Sequence, residues 1–105
     1  MQMPVHSRGP ILKDGLTIKP RLIFEEETAL VYMVGADVFL DGALVFTVNE
    51  IGRELLKMAD GSVTVDAMAE SLGLATTASE VGMFFVKLGQ AGYLKNRMEI
   101  VLFET

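Results

Sequence analysis

Residues 44–61 read LVFTVNEIGRELLKMADG, and this stretch decides the architecture. Leu44 to Val48 are apolar or β-branched and suit an extended strand. Asn49 stands where a helix can begin, because its side-chain oxygen can accept an amide hydrogen that the first turn leaves without a partner. From Glu50 onward Ile51, Leu55 and Met58, joined by Leu56 and Ala59, recur at helical spacing and mark a buried face. Asp60-Gly61 stops the helix. A strand that feeds directly into a short amphipathic helix is the joint between a sheet and a helical layer.

Downstream, two more helices follow. Thr64 can cap a short one with Val65, Met68, Ala69 and Leu72 facing inward, Asp66 and Glu70 facing water, and Gly73 in the left-handed C-terminal position. Thr77 and Glu80 have the S/T-x-x-E spacing of a capping box, so a third helix starts at Ala78 and runs to Gly92. Val81, Phe84, Phe85, Leu88 and Ala91 form its apolar stripe, and Met83 and Val86 widen that stripe beyond what one core face requires. Gly82 and Gly89, seven apart, lie on one face and each cost roughly 1 kcal/mol of helix propensity relative to Ala, which suggests a close approach there.

Upstream, Arg21 to Phe24 and Ala29 to Val34 read as a hairpin around the acidic turn Glu25-Glu26-Glu27. Gly35-Ala36-Asp37 reads as a break. Asp41-Gly42 is the pair a primed turn prefers, ahead of a third strand over Ala43 to Val48. Val38 to Leu40 fit either a strand paired with Ala43 to Phe46 or a packed loop. Residues 1–19, punctuated by Pro4, Gly9, Pro10 and Gly15, read as a flexible arm. Tyr93 to Lys95 and Glu99 to Phe103, turning across Asn96-Arg97, read as a closing hairpin wing. The expected class is α+β and winged-helix-like: a three-stranded antiparallel sheet packed on three helices, with a C-terminal wing strand. Residues 20–105 form one domain, with no repeat or low-complexity tract.

Half of the 105 residues are apolar, enough for one modest core. The absence of cysteine excludes disulfides, thiolate chemistry and cysteine-ligated zinc, and suits a reducing compartment. The N-terminal residues lack a secretory apolar core, and no apolar run approaches the roughly 18 residues of a membrane span. A soluble, cytoplasmic protein is expected. Nine basic against fourteen acidic side chains give a net charge of −5, which repels polyanions unless the basic groups gather on one face. Only Lys95 and Arg97 make a local basic pair.

Little here could perform catalysis. His6, the sole histidine, lies in the arm, and Ser7, Ser62, Ser71 and Ser79 have no histidine on an ordered element to activate them. Consecutive Glu25, Glu26 and Glu27 point in different directions instead of converging on a metal. No glycine-rich phosphate loop is present. A non-enzymatic protein without cofactor or metal is expected. Of seven methionines, Met33, Met58 and Met68 fall on inward positions, whereas Met83 and Met98 suit a surface that adapts to a partner.

Residues Pro20 to Leu94 resemble the PqqD-like family, the peptide-recognition domains of pathways that modify ribosomally made peptides. The resemblance is carried by Pro20-Arg21 ahead of the first strand and by LVFTVNEIGRELLKMADG, with its Val48-Asn49 junction and Gly52. It continues through Thr64-Val65 and through KLGQAGYL, similar to the family's terminal pattern at Leu88, Gly92 and Leu94. It implies that a precursor's leader peptide adds a strand to the edge of strand three and lies against helix three. Leu44, Val45, Phe46 and Thr47 would offer the edge, and Val81, Phe84, Phe85 and Leu88 would line the groove. Met83 would extend its apolar surface, and Lys87 could pair with an acidic leader residue. Strand alternation allows either Leu44 with Phe46 or Val45 with Thr47 to face the groove.

The implied function is that of a non-catalytic peptide chaperone, which presents the precursor to a modifying enzyme, in this family often a radical S-adenosylmethionine enzyme. Two alternatives come from other classes. A winged-helix DNA-binding protein would share the helix order, but helix three offers Glu80, Lys87 and Gln90 and no arginine, so the charge disfavours nucleic acid. A structural domain could instead use the same exposed edge to form a homodimer.

Overall fold

A computed structural model describes residues 9–96. His6, Arg97, Met98 and the expected wing strand from Glu99 to Phe103 lie outside the described residues. Three strands come first: β1 (Leu16–Glu25), β2 (Leu30–Leu40) and β3 (Ala43–Val48). They are followed by α1 (Glu50–Lys57), α2 (Val65–Leu72) and α3 (Ala78–Gln90), with a 3₁₀ turn over Gly73–Ala75. The class is the one expected: an open, antiparallel, three-stranded sheet in the order β1-β2-β3, packed against three helices.

Local chemistry sets the element ends. Asn49 Oδ1 accepts from the Gly52 amide at 2.8 Å, Thr64 Oγ1 from the Ala67 amide at 3.1 Å, and Thr77 Oγ1 from the Glu80 amide at 3.2 Å. Glu80 returns the bond by accepting from the Thr77 amide, completing the capping box. The Asp41-Gly42 turn joins Leu40 to Ala43 with positive φ at both central residues, 51° and 85°, as a type I′ turn requires.

Gly35 does not break the second strand, which continues to Leu40 and pairs with both neighbours. Arg21 opposes Gly35 and Leu22 opposes Met33, so Val34 is the extra residue of a bulge. Gly35 supports that bulge with φ of 137°, and a Cβ there would lie 1.9 Å from the Val48 carbonyl oxygen. Val38 to Leu40, for which strand and packed loop were both open, are central sheet, with Val38 fully buried.

The arm expected over residues 1–19 is incorporated into the fold from Gly9 onward. Leu16 to Lys19 belong to β1, and Gly9 to Leu12 run beside the segment that follows α1. Ile11 bridges Asp60, Leu12 bridges Leu94, and the Lys95 amide donates to the Ile11 carbonyl at 2.7 Å. The backbone of Tyr93 to Lys95, expected as the first wing strand, is thus engaged with residues 11–13. Asn96 closes this seam: its Oδ1 accepts from the Ile11 amide and its Nδ2 donates to the Gly9 carbonyl.

The core contains Val38, Leu55, Leu56, Ala59, Met68, Ala69, Val81, Phe85 and Leu88. It lies between the inner half of the sheet and the helices. Beyond Ala36, where β3 ends its pairing, β1 and β2 continue alone as a two-stranded hairpin. Met33 consequently stays 37% exposed instead of joining the core.

Candidate functional site

β3 lies at one edge of the sheet, and among the described residues its outer backbone groups have no strand partner. The edge is chemically unprotected, since Ala43 to Val48 contain neither proline nor charge. Strict alternation does not hold along it. Val38 opposes Phe46 and Phe39 opposes Leu44, so Val45 is the extra residue of a second bulge. Leu44 is 57% exposed and Thr47 is exposed, while Val45, Phe46 and Val48 are half-buried and pack against the core. Neither expected pairing, Leu44 with Phe46 nor Val45 with Thr47, therefore shares an environment.

α3 and Tyr93 beyond it approach this strand at two places. Val48 and Phe84 converge on Gly52: a Cβ at that glycine would meet the Val48 Cβ at 2.7 Å and the Phe84 ring at 3.2 Å. At the other end the rings of Phe46 and Tyr93 stand 5.0 Å apart. The half-buried side chains of Phe46, Val48, Phe84 and Tyr93 line the seam. Phe84 also packs edge-on against Phe85 with ring centroids 5.1 Å apart.

The ten residues expected to form the site divide. Val81 and Phe85 are fully buried and Leu88 nearly so, which makes them the support of the groove and withholds their side chains from any ligand. Phe84 is half-buried on the flank toward β3, and Lys87 and Ala91 follow it at helical spacing as exposed residues. Met83 is 44% exposed, one turn before Lys87. Periodicity places Ala91 in the core stripe, but it is the exposed C-cap of α3. Gly89 is met by Leu94 of the same chain at 3.6 Å from its would-be Cβ. Sequence reasoning also missed Val48, Gly52 and Tyr93 as site residues, because their part in the seam depends on the crossing of separate elements.

The chemistry of the seam is that of backbone groups and apolar side chains. The Asp60 carboxyl is held below its usual range, stabilised as the anion chiefly by the Ser62 hydroxyl and also by the Ser62 amide, and it lies in the turn after α1, outside the seam. Among the described residues, no cluster of three or more His, Asp or Glu side chains could hold a metal, and no helix is long and apolar enough to cross a membrane. What this geometry offers is a row of backbone hydrogen-bonding groups beside apolar side chains. No model of a known protein family, no curated protein and no solved structure matches the chain.

Proposed function

We propose that this protein is a non-catalytic peptide adaptor. An extended peptide adds to the outer edge of β3, and its inward side chains rest on the seam between β3 and α3. The observation that carries this reading is the coincidence of an uncharged, proline-free edge with an apolar seam beside it. Backbone hydrogen bonds supply affinity that depends little on sequence, and the pockets beside them select alternate side chains. Lys87, exposed on the groove flank, favours an acidic residue in the peptide, by under about 1 kcal/mol for a solvated pair.

In this reading the peptide is the leader of a ribosomally made precursor, and a modifying enzyme, a radical S-adenosylmethionine enzyme in the family resembled, is the recipient. The adaptor then works by effective concentration, since tethering raises the local concentration of a substrate to about the millimolar range.

The test is a titration of isotope-labelled protein with the leader half of a short peptide encoded beside its gene. Amide shifts confined to Ala43–Val48 and the Phe84–Tyr93 flank are expected. Thr47→Pro should weaken binding if its amide points outward, and retention of a folded spectrum would separate that effect from damage to the strand. A flat titration with the leader, accompanied by shifts at Lys95 on duplex DNA, would overturn the proposal.

A further inference from the structure

Among the described residues, the hairpin beyond the core concentrates exposed apolar side chains. Leu22, Ile23, Phe24, Leu30, Val31, Tyr32 and Met33 are each 37–60% exposed. The cross-strand pairs Leu22–Met33 and Phe24–Val31 lie on one face and Ile23–Tyr32 on the other, so both faces are apolar. A two-stranded hairpin is marginally stable in water, and three or more strands are normally needed.

We propose that the open β1 edge of this hairpin pairs with a second copy of this chain, β1 running antiparallel to the partner's β1 about a two-fold axis at Ile23. The charge pattern of β1 selects this occupant. The strand reads Lys19-Pro20-Arg21-Leu22-Ile23-Phe24-Glu25 and leads into Glu26-Glu27, basic before its centre and acidic after it. With Ile23 on the axis, Arg21 faces the partner's Glu25 and Leu22 faces the partner's Phe24. Opposite charges directly across an antiparallel pair are favourable, and like charges are not. A parallel arrangement would set like against like.

Pro20, which has no amide hydrogen, ends the pairing before it reaches the inner sheet. The result is one six-stranded sheet in which the two hairpins make a four-stranded centre. β3 lies at the opposite edge of each subunit, so this dimer neither requires nor blocks the peptide site proposed above.

Analytical ultracentrifugation of the full chain across a concentration series tests the proposal. The wild type should sediment as a dimer. Ile23→Lys, which places two ammonium groups together on the axis, should abolish it. Arg21→Glu and Glu25→Arg should each weaken dimerisation about ten-fold, since each creates two like-charge pairs. Mixing these two variants should restore it. In the mixed dimer the carboxylate introduced at position 21 faces the guanidinium introduced at position 25, and the native Arg21 faces the native Glu25 in the other pair. Restoration on mixing cannot arise from misfolded variants. A wild type that stays monomeric, an Ile23→Lys dimer of undiminished affinity, or a mixture no tighter than its components would overturn the proposal.

Discussion

Phe84 and Phe85 are neighbours in one helix, yet they have different consequences for the fold. Phe85 is fully buried among Val38, Leu55 and Met68 in the core cluster, whereas Phe84 is half-buried at the seam with β3. Truncation to Phe85→Ala should cost roughly 3–5 kcal/mol of stability, as expected for a buried ring whose cavity does not collapse. Met83→Ala, on an exposed position, should change stability by less than about 0.5 kcal/mol and weaken peptide binding. Thermal denaturation and calorimetry on the two variants check both halves; equal binding by Met83→Ala and wild type would remove Met83 from the site. Gly52 acts by close approach. A methyl group at this position would push against the Val48 Cβ, which is attached to backbone and cannot swing away. Gly52→Ala should therefore destabilise by about 1–3 kcal/mol through overpacking and spread the seam. Wild-type stability in this variant would show that α1 tolerates a wider separation from β3.

At the scale of elements, the ends of helices and turns were legible because their chemistry is local. Asn49, Thr64 and Thr77 each cap a helix within three residues of their own position. Where sequence reading failed, the governing contact was distant. Gly35 has the composition of a breaker, but the neighbour that makes it necessary is the Val48 carbonyl of another strand. The N-terminal segment has turn-like residues at Gly9, Pro10 and Gly15, yet its backbone groups find partners after α1 and after α3. Asn96 reaches Ile11 and Gly9 across 85 and 87 residues. Asn96→Ala removes both bonds and leaves a part-buried amide and carbonyl without side-chain partners. It should cost about 1–3 kcal/mol and raise hydrogen exchange at Ile11 while leaving the caps of α2 and α3 protected. Unchanged exchange at Ile11 would show that the bridges to Asp60 and Leu94 suffice.

For the whole molecule, the two open edges of the sheet have contrasting surfaces. β3 is uncharged and flanked by an apolar seam; β1 is blunted near the core by Lys19, Pro20 and Arg21 and apolar only beyond it. Because the edges are opposite, peptide binding and self-association should be independent. One peptide per subunit is expected, with no change in sedimenting species on saturation and no loss of peptide affinity in Ile23→Lys. A peptide that dissolves the dimer would mean that both events use one edge.

The sequence alone determined the α+β class, the three helices with their caps, the Asp41-Gly42 turn and the scarcity of catalytic groups, because each depends on composition or on residues a few positions apart. Only the tertiary structure decided that Val81, Phe85 and Leu88 are core while Phe84 flanks β3, that a bulge at Val45 separates Leu44 from Phe46, and that the β1–β2 hairpin extends past the helices. Those outcomes depend on which elements cross and where pairing stops, and one bulged residue reverses the face of every side chain beyond it.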